Sequence, residues 1–233
     1  MRFMKILAAT AILAAPLASA DPDSREITRE WPAGDFKTVD IEANVGTVRV
    51  TGSDRDTISL KLTIEPDDDW SFSSKEVAEV IASAELDVDE SGDTLILDLK
   101  IRGRGDNDIE ENWILLVPEA METRLEMNVG EVDIENTSGG VEAELNVGEM
   151  DIDVLAGDID AETNVGDLGI RSRTGSPGRF DLEVNIGDVD LDIDGKDIDT
   201  DRGFLGGSIR HDAGGEDDVD ATVNVGNLTV DID

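Results

Sequence analysis

The chain has 233 residues, with 56 Asp and Glu against 19 Lys and Arg and a formal net charge of −37. It contains no cysteine and a single histidine, His211, which excludes disulfides, thiolate metal and iron–sulfur centres, a cysteine nucleophile and any site built from two imidazoles. So negative a chain is also unsuited to neutralising phosphates, which argues against binding nucleic acid and against docking on anionic lipid.

In chain order, Arg2 and Lys5 precede an apolar run from Ile6 to Leu17 that closes on Ala18-Ser19-Ala20. This is the pattern of a secretory signal peptide cleaved after Ala20. The run is too short to serve as a membrane span, and Asp21 and Asp23 follow at once. Residues 1–20 are therefore expected to be a signal peptide, 21–35 an N-terminal segment, and 36–233 one continuous domain. The product is expected to be periplasmic or extracellular, with no membrane span.

Alternation of apolar and polar residues predicts strands over Phe36–Ile41, Gly46–Thr51 and Thr57–Ile64. Pro66-Asp67-Asp68-Asp69 breaks the pattern. Ser73 and Glu76 have capping-box spacing, and a short helix is expected to run to about Ala84 with Val77, Val80 and Ile81 on one face. Strands resume over Leu86–Val88, Thr94–Ile101 and Trp113–Val117, with a charged loop at Gly103–Asn112. Further loops are expected at Thr174–Gly178 and Asp212–Asp218.

The strongest signal is an internal repeat. Asn-Val/Ile-Gly-x-hydrophobic-x-hydrophobic begins at Asn44, Asn128, Asn146, Asn164, Asn185 and Asn224. The step from Asn128 to Asn146 equals the step from Asn146 to Asn164, and weaker half-repeats at Gly139–Ala143 and Ala156–Ala161 divide it in two. Within each copy β-branched residues alternate with acids, as Val132 and Ile134 do with Glu131, Asp133 and Glu135, so each strand has one buried face. The glycine supplies a bend. Two architectures fit: an all-β solenoid of stacked coils of about 18 residues, or an antiparallel meander or sandwich in which Thr137–Gly140 is a hairpin turn. Recurrence of the same bend chemistry at a fixed step favours stacking, which places Asn over Asn and Val over Val.

Three features carry a family likeness: the Thr38–Val50 strand pair with its Gly-x-Val-x-Val bend, the segment Trp113-Ile114-Leu115-Leu116-Val117-Pro118, and the Gly-x-Val-x-Ile ladder after it. Over Phe36 to Asp233 they resemble the bacterial putative-adhesin family, exported proteins of unknown function with autotransporter-adhesin-like β-helices. The resemblance implies an exported β-solenoid acting in adhesion, and it brings no catalytic residues. The dominant Asn before the bend and the acidity depart from the usual pattern.

Chemistry narrows the function classes further. No Gly-x-Ser-x-Gly elbow surrounds any serine, and His211 falls in the glycine-rich stretch Gly206–Gly215, where an exposed loop position is expected. Carboxylate pairs are unavoidable among 56 acids, and aromatic platforms for a sugar ring are scarce, so a carbohydrate-active enzyme ranks third. Stacked coils would align Glu131 with Glu149 and Asp167, Glu142 with Asp160, and Glu144 with Glu162. Two such charges about 4.8 Å apart repel by roughly 0.9 kcal/mol even in bulk water. Bound cations, salt, protonation or the interruptions at Gly169 and Arg171 must offset this. Glu131, Glu149, Asp167, Asp133 and Asp151 are the candidate metal ligands, with calcium the candidate cofactor. Neither a calcium β-roll nonapeptide nor an EF-hand loop is present. The reading is thus a non-enzymatic envelope module with a protein or glycan partner, and the alternative is a calcium-binding envelope protein. The asparagines are expected to form a structural amide ladder.

Overall fold

Period-two alternation produces strands over most of residues 24–66, 74–101 and 109–233, which the computed structural model of the protein describes. The strands are β1 (Arg25–Pro32), β2 (Thr38–Ser53), β3 (Thr57–Pro66), β4 (Glu85–Ser91), β5 (Thr94–Lys100) and β6 (Ile109–Pro118). Then come β7 (Glu122–Glu135), β8 (Val141–Val154), β9 (Ile159–Ser172), β10 (Pro177–Ile186) and β11 (Val189–Ile193). The last are β12 (Lys196–Asp197), β13 (Asp201–Arg202), β14 (Gly207–Asp212), β15 (Asp217–Val225) and β16 (Leu228–Ile232). One α-helix occurs among the described residues, α1 (Ser74–Ser83), and Ala33–Asp35 forms a 3-10 turn. All sixteen strands belong to one sheet, so the protein is all-β.

Six parallel rungs form the body. β2 pairs with β7, β7 with β8 and β8 with β9, each in continuous parallel register. Met150 lies beside Val132 and Leu168, and Ile152 beside Ile134 and Ile170. The constant step between motif copies is therefore a rung-to-rung step. Val132–Glu135 and Val141–Leu145 do not form a hairpin, because β7 and β8 run parallel and residues 136–140 carry the chain to the next rung.

Beyond β9 the order in space leaves the order in sequence. β15 and β16 together pair with β9, and β10 and β11 pair with them on the far side. The C-terminal rung thus lies between β9 and the β10–β11 rung rather than at the end of the stack. The Asn185 copy of the motif neighbours the Asn224 copy rather than the Asn164 copy that precedes it in sequence. β10 receives β14 antiparallel on its other edge. At the opposite end β5 joins the first half of β2 and β6 the second half, and antiparallel strands follow them: β4 on β5, then β3 and β1 beyond β6.

The core is a set of columns across rungs. Val48, Val132, Met150, Leu168, Leu228 and Val189 fill one, and Val50, Ile134, Ile152, Ile170, Val230 and Leu191 another, all buried. Each such side chain contributes roughly 1.5–3 kcal/mol on burial. Trp113 and Phe180 anchor the two ends of the core.

The edge strand β1 pairs along β3, and its Arg25 guanidinium donates to the Ala82 carbonyl at 3.2 Å, within the C-terminal turn of α1. Several sequence expectations are corrected. Residues 109–112 of the expected loop are strand, because Ile109 and Glu111 point inward. Pro177, Gly178, Asp212, Asp217 and Asp218, assigned to loops, are strand residues as well. His211 is not an exposed loop residue: it lies half-buried on β14, opposite Phe180, with the rings 6.4 Å apart. The signal segment and the capping residue Ser73 lie outside the described residues.

Candidate functional site: the bend face and its acidic flanks

Each rung bends at its Asn-Val/Ile-Gly motif, where the alternation lapses and four successive positions, 128–131 in β7 and 146–149 in β8, leave the core. The bend glycines have φ between 134° and 148°. A Cβ on Gly148 would stand 1.8 Å from the Gly130 carbonyl oxygen, and the same clash recurs at Gly166, Gly226 and Gly187. Only glycine meets both the positive φ and the close approach of the next rung. The asparagine carboxamides bond in one unbroken direction. Asn128 Nδ2 donates to Asn44 Oδ1 at 3.0 Å, Asn146 to Asn128 at 3.0 Å and Asn164 to Asn146 at 2.8 Å. Asn224 then donates to Asn164 and Asn185 to Asn224, both at 2.7 Å. The expected ladder is present, but it passes through Asn224 before it reaches Asn185.

Beside the ladder runs a second line: Val45, Val129, Val147, Val165, Val225 and Ile186. Five of these six are 42–48% exposed. The line continues onto Leu205, whose carbonyl accepts from Gly187 N–H at 2.9 Å, and next to it Phe204 is 99% exposed. Of the eight exposed large apolar residues among the described residues, five lie on this line and Leu205 and Phe204 adjoin its end; Ile114 is the other. Periodicity hid this feature, since a valine between Asn and Gly reads as part of the turn.

Carboxylates flank the line on both sides. On one side Asp98, Glu42, Glu126, Glu144 and Glu162 occupy adjacent positions across the rungs. On the other Glu131, Glu149 and Asp167 stack as expected, and Asn227 continues them, its N–H and its Nδ2 each donating to Asp167 Oδ1 at 2.9 Å. Asp133 and Asp151 also stack, but Asp133 is engaged by Arg49, whose Nη2 lies 2.5 Å from it. Burial first, and the Asp133 charge second, push the Asp151 carboxyl above its ordinary range. Among the described residues no three carboxylate or imidazole groups converge as a metal site would require.

A third row was only partly legible. Glu142 and Asp160 stack, and the inserted rung extends them to Asp220 and Asp181. Arginine closes both ends: Arg124 Nε lies 3.2 Å from Glu142 and Arg210 Nε lies 3.1 Å from Asp181. Burial, then Asp160 and Asp181, raise the Asp220 carboxyl.

A shallow cavity of about 250 Å³ opens where the ladder begins, lined by Asn44, Asn128, Glu42, Glu126, Asp98 and Lys100 among others, with Glu111 at its edge. Glu111 is only 2% exposed. Its carboxylate accepts from Trp113 Nε1 at 2.9 Å and from Asn44 N–H at 3.4 Å. Burial raises its pKa above the ordinary value, and these two hydrogen bonds oppose the rise. The site offers an apolar line, amide groups and negative charge; it presents no nucleophile–base pair.

Among solved structures, the chain is similar to a "putative cell adhesion protein" from Clostridium sporogenes, with a TM-score of 0.59 at 12% identity, over 90% of this chain and 100% of that one. A "putative adhesin" from Bacteroides fragilis matches with a TM-score of 0.33 at 13% identity, over 88% of this chain and 97% of that one. The first of these likenesses shows a shared fold. No protein-family model and no curated protein matches the chain.

Proposed function

We propose that the chain is an exported, non-enzymatic β-solenoid of the adhesin type that works as an envelope interaction module, meeting its partner with the bend face. The observation that carries this reading is the continuity of that face: six rungs hold an apolar line and an amide ladder in register. An enzyme needs a few convergent polar groups in a desolvated cleft, whereas this face repeats the same groups from rung to rung. The signal-like N-terminus supports export. No helix among the described residues is long and apolar enough to cross a membrane. The fold shared with the clostridial protein, described as a "putative cell adhesion protein", supports the adhesin reading by analogy alone.

The test is saturable retention of the fluorescently labelled, exported chain on intact bacterial cells and on arrays of envelope proteins and glycans. The triple variant Val129→Ser, Val147→Ser, Val165→Ser is run in parallel. Saturable binding that the variant loses is expected. Absence of binding, or equal binding by a folded variant, overturns the reading.

A further inference from the structure

The apolar line and its flanks together define a recognition pattern, and its spacing and sign specify a partner. We propose that the bend face binds a polypeptide segment in which a row of apolar side chains is bordered on both sides by lysine or arginine, the arrangement of a basic amphipathic helix. This rests on the interaction-module reading above and names the partner class.

Spacing points to a helix. Six stacked rungs give five steps of about 4.8 Å, a line roughly 24 Å long. An α-helix rises about 5.4 Å per turn, so successive turns of an apolar stripe meet successive rungs with about 3 Å of accumulated drift. A segment of about 16 residues covers the line. An extended strand fits less well, because its side chains point alternately to opposite faces and its charges would face away from the flanks.

Charge points to a basic partner. The apolar line lies between two carboxylate rows that are densest over β7, β8 and β9. A second copy of the same face would set carboxylates against carboxylates, and a neutral apolar partner would leave them desolvated without counter-charge. A partner with cations on both borders answers both rows, and one of its cations can enter the cavity beside Asn44, Glu42 and Glu126, whereas Asp98 there is already paired with Lys100. The concentration of exposed apolar area points to this face rather than another. Five of the eight exposed large apolar side chains among the described residues fall on one line of an otherwise acidic surface and two more, Leu205 and Phe204, adjoin its Ile186 end, which marks an interaction site.

The experiment titrates a labelled, amidated peptide of about 16 residues, with leucines on one helical face and lysines on both borders, with the full exported chain in ~0.15 M NaCl, read by fluorescence anisotropy. Saturable binding is expected, weakened about tenfold or more by the triple Val→Ser variant. A second variant, Glu126→Gln, Glu144→Gln, Glu162→Gln, is expected to lower the salt dependence of binding, and it carries the test if the serine variant fails to fold. Equal affinity for a peptide with serine in place of leucine would overturn the proposal by showing that charge alone is read. Unchanged affinity in both variants, or self-association of the chain through the valine line, would overturn it too. Failure of the peptide to bind, while the chain still coats cells through the valine line, would sink the partner class and leave the interaction-module reading standing. Failure of both would sink both.

Discussion

Gly148 shows how a single hydrogen in place of a side chain holds the stack together. A methyl group there would meet the Gly130 carbonyl oxygen at 1.8 Å, on a backbone with φ of +145°. Strain and overpacking each cost about 1–3 kcal/mol, so Gly148→Ala should lower stability by ~3 kcal/mol or more. Gly34→Ala, with nothing within 4 Å of its Cβ, should leave the urea midpoint nearly unchanged. Buried Glu111 and three partly desolvated aspartates on the surface make a second residue-scale prediction. Glu111, Asp220, Asp151 and Asp40 all have pKa values raised first by burial. Such groups bind a proton more tightly when folded than when unfolded. The destabilisation is fully present above the folded pKa and is relieved as pH falls toward the ordinary values of 4.5 for Glu111 and 3.8 for the aspartates. Thermal melts should therefore show Tm rising as pH is lowered from neutrality to about 5, opposite to common acid destabilisation. Glu111→Gln should raise Tm at neutral pH and flatten that slope, since an amide oxygen still accepts from Trp113 and Asn44. A Tm that falls steadily with acidification would refute the assignment.

At the level of elements, the rungs between residues 122 and 172 were readable because amide ladders and glycine contacts work only when like sits on like, and that fixes one constant step from Asn128 to Asn146 to Asn164. The bend glycines, the inward valines and the stacked glutamates followed from the same requirement. The inserted rung was not readable. The wider gaps on either side of Asn185 give no sign that β15 and β16 return between β9 and β10, because that choice is made by edges distant in sequence. β12, β13 and β14 escaped notice for a related reason: as short terminal pieces they carry little alternation of their own. The insertion has a consequence for stability. Deleting 217–233 removes partners from both β9 and the β10–β11 rung, whereas deleting 24–32 removes one edge strand that pairs with β3 alone. The C-terminal deletion should therefore abolish cooperative unfolding or cause aggregation through two open edges. The N-terminal deletion should keep a cooperative transition at lower Tm. Circular dichroism melts with size-exclusion chromatography would separate the cases, and similar behaviour of the two deletions would contradict the strand order.

Across the whole molecule, stacking and charge are in conflict. The geometry that brings valine over valine also brings carboxylate over carboxylate, at roughly 0.9 kcal/mol per neighbouring pair in bulk water. A few such pairs approach the ~5–15 kcal/mol net stability of a folded domain. Basic residues relieve the conflict at chosen points: Arg124 and Arg210 close the ends of the row through Glu142 and Asp181, and Arg171 stands between Asp153 and Asp231. Inside the rows, relief must come from solution. Sodium chloride should therefore raise Tm steeply from low ionic strength and level off once the Debye length, about 8 Å at 0.15 M, falls toward the spacing of the rungs. Asp220→Asn, which removes the middle charge between Asp160 and Asp181, should raise Tm at low salt by more than it does at high salt. Calcium chloride compared at equal ionic strength separates screening from coordination. Coinciding curves are expected, because the carboxylates form rows rather than convergent sets of three donors among the described residues. An extra rise of several degrees with calcium that chelation reverses would instead mean that ions bridge the rungs, and the rows would then have to be read as metal sites completed on binding.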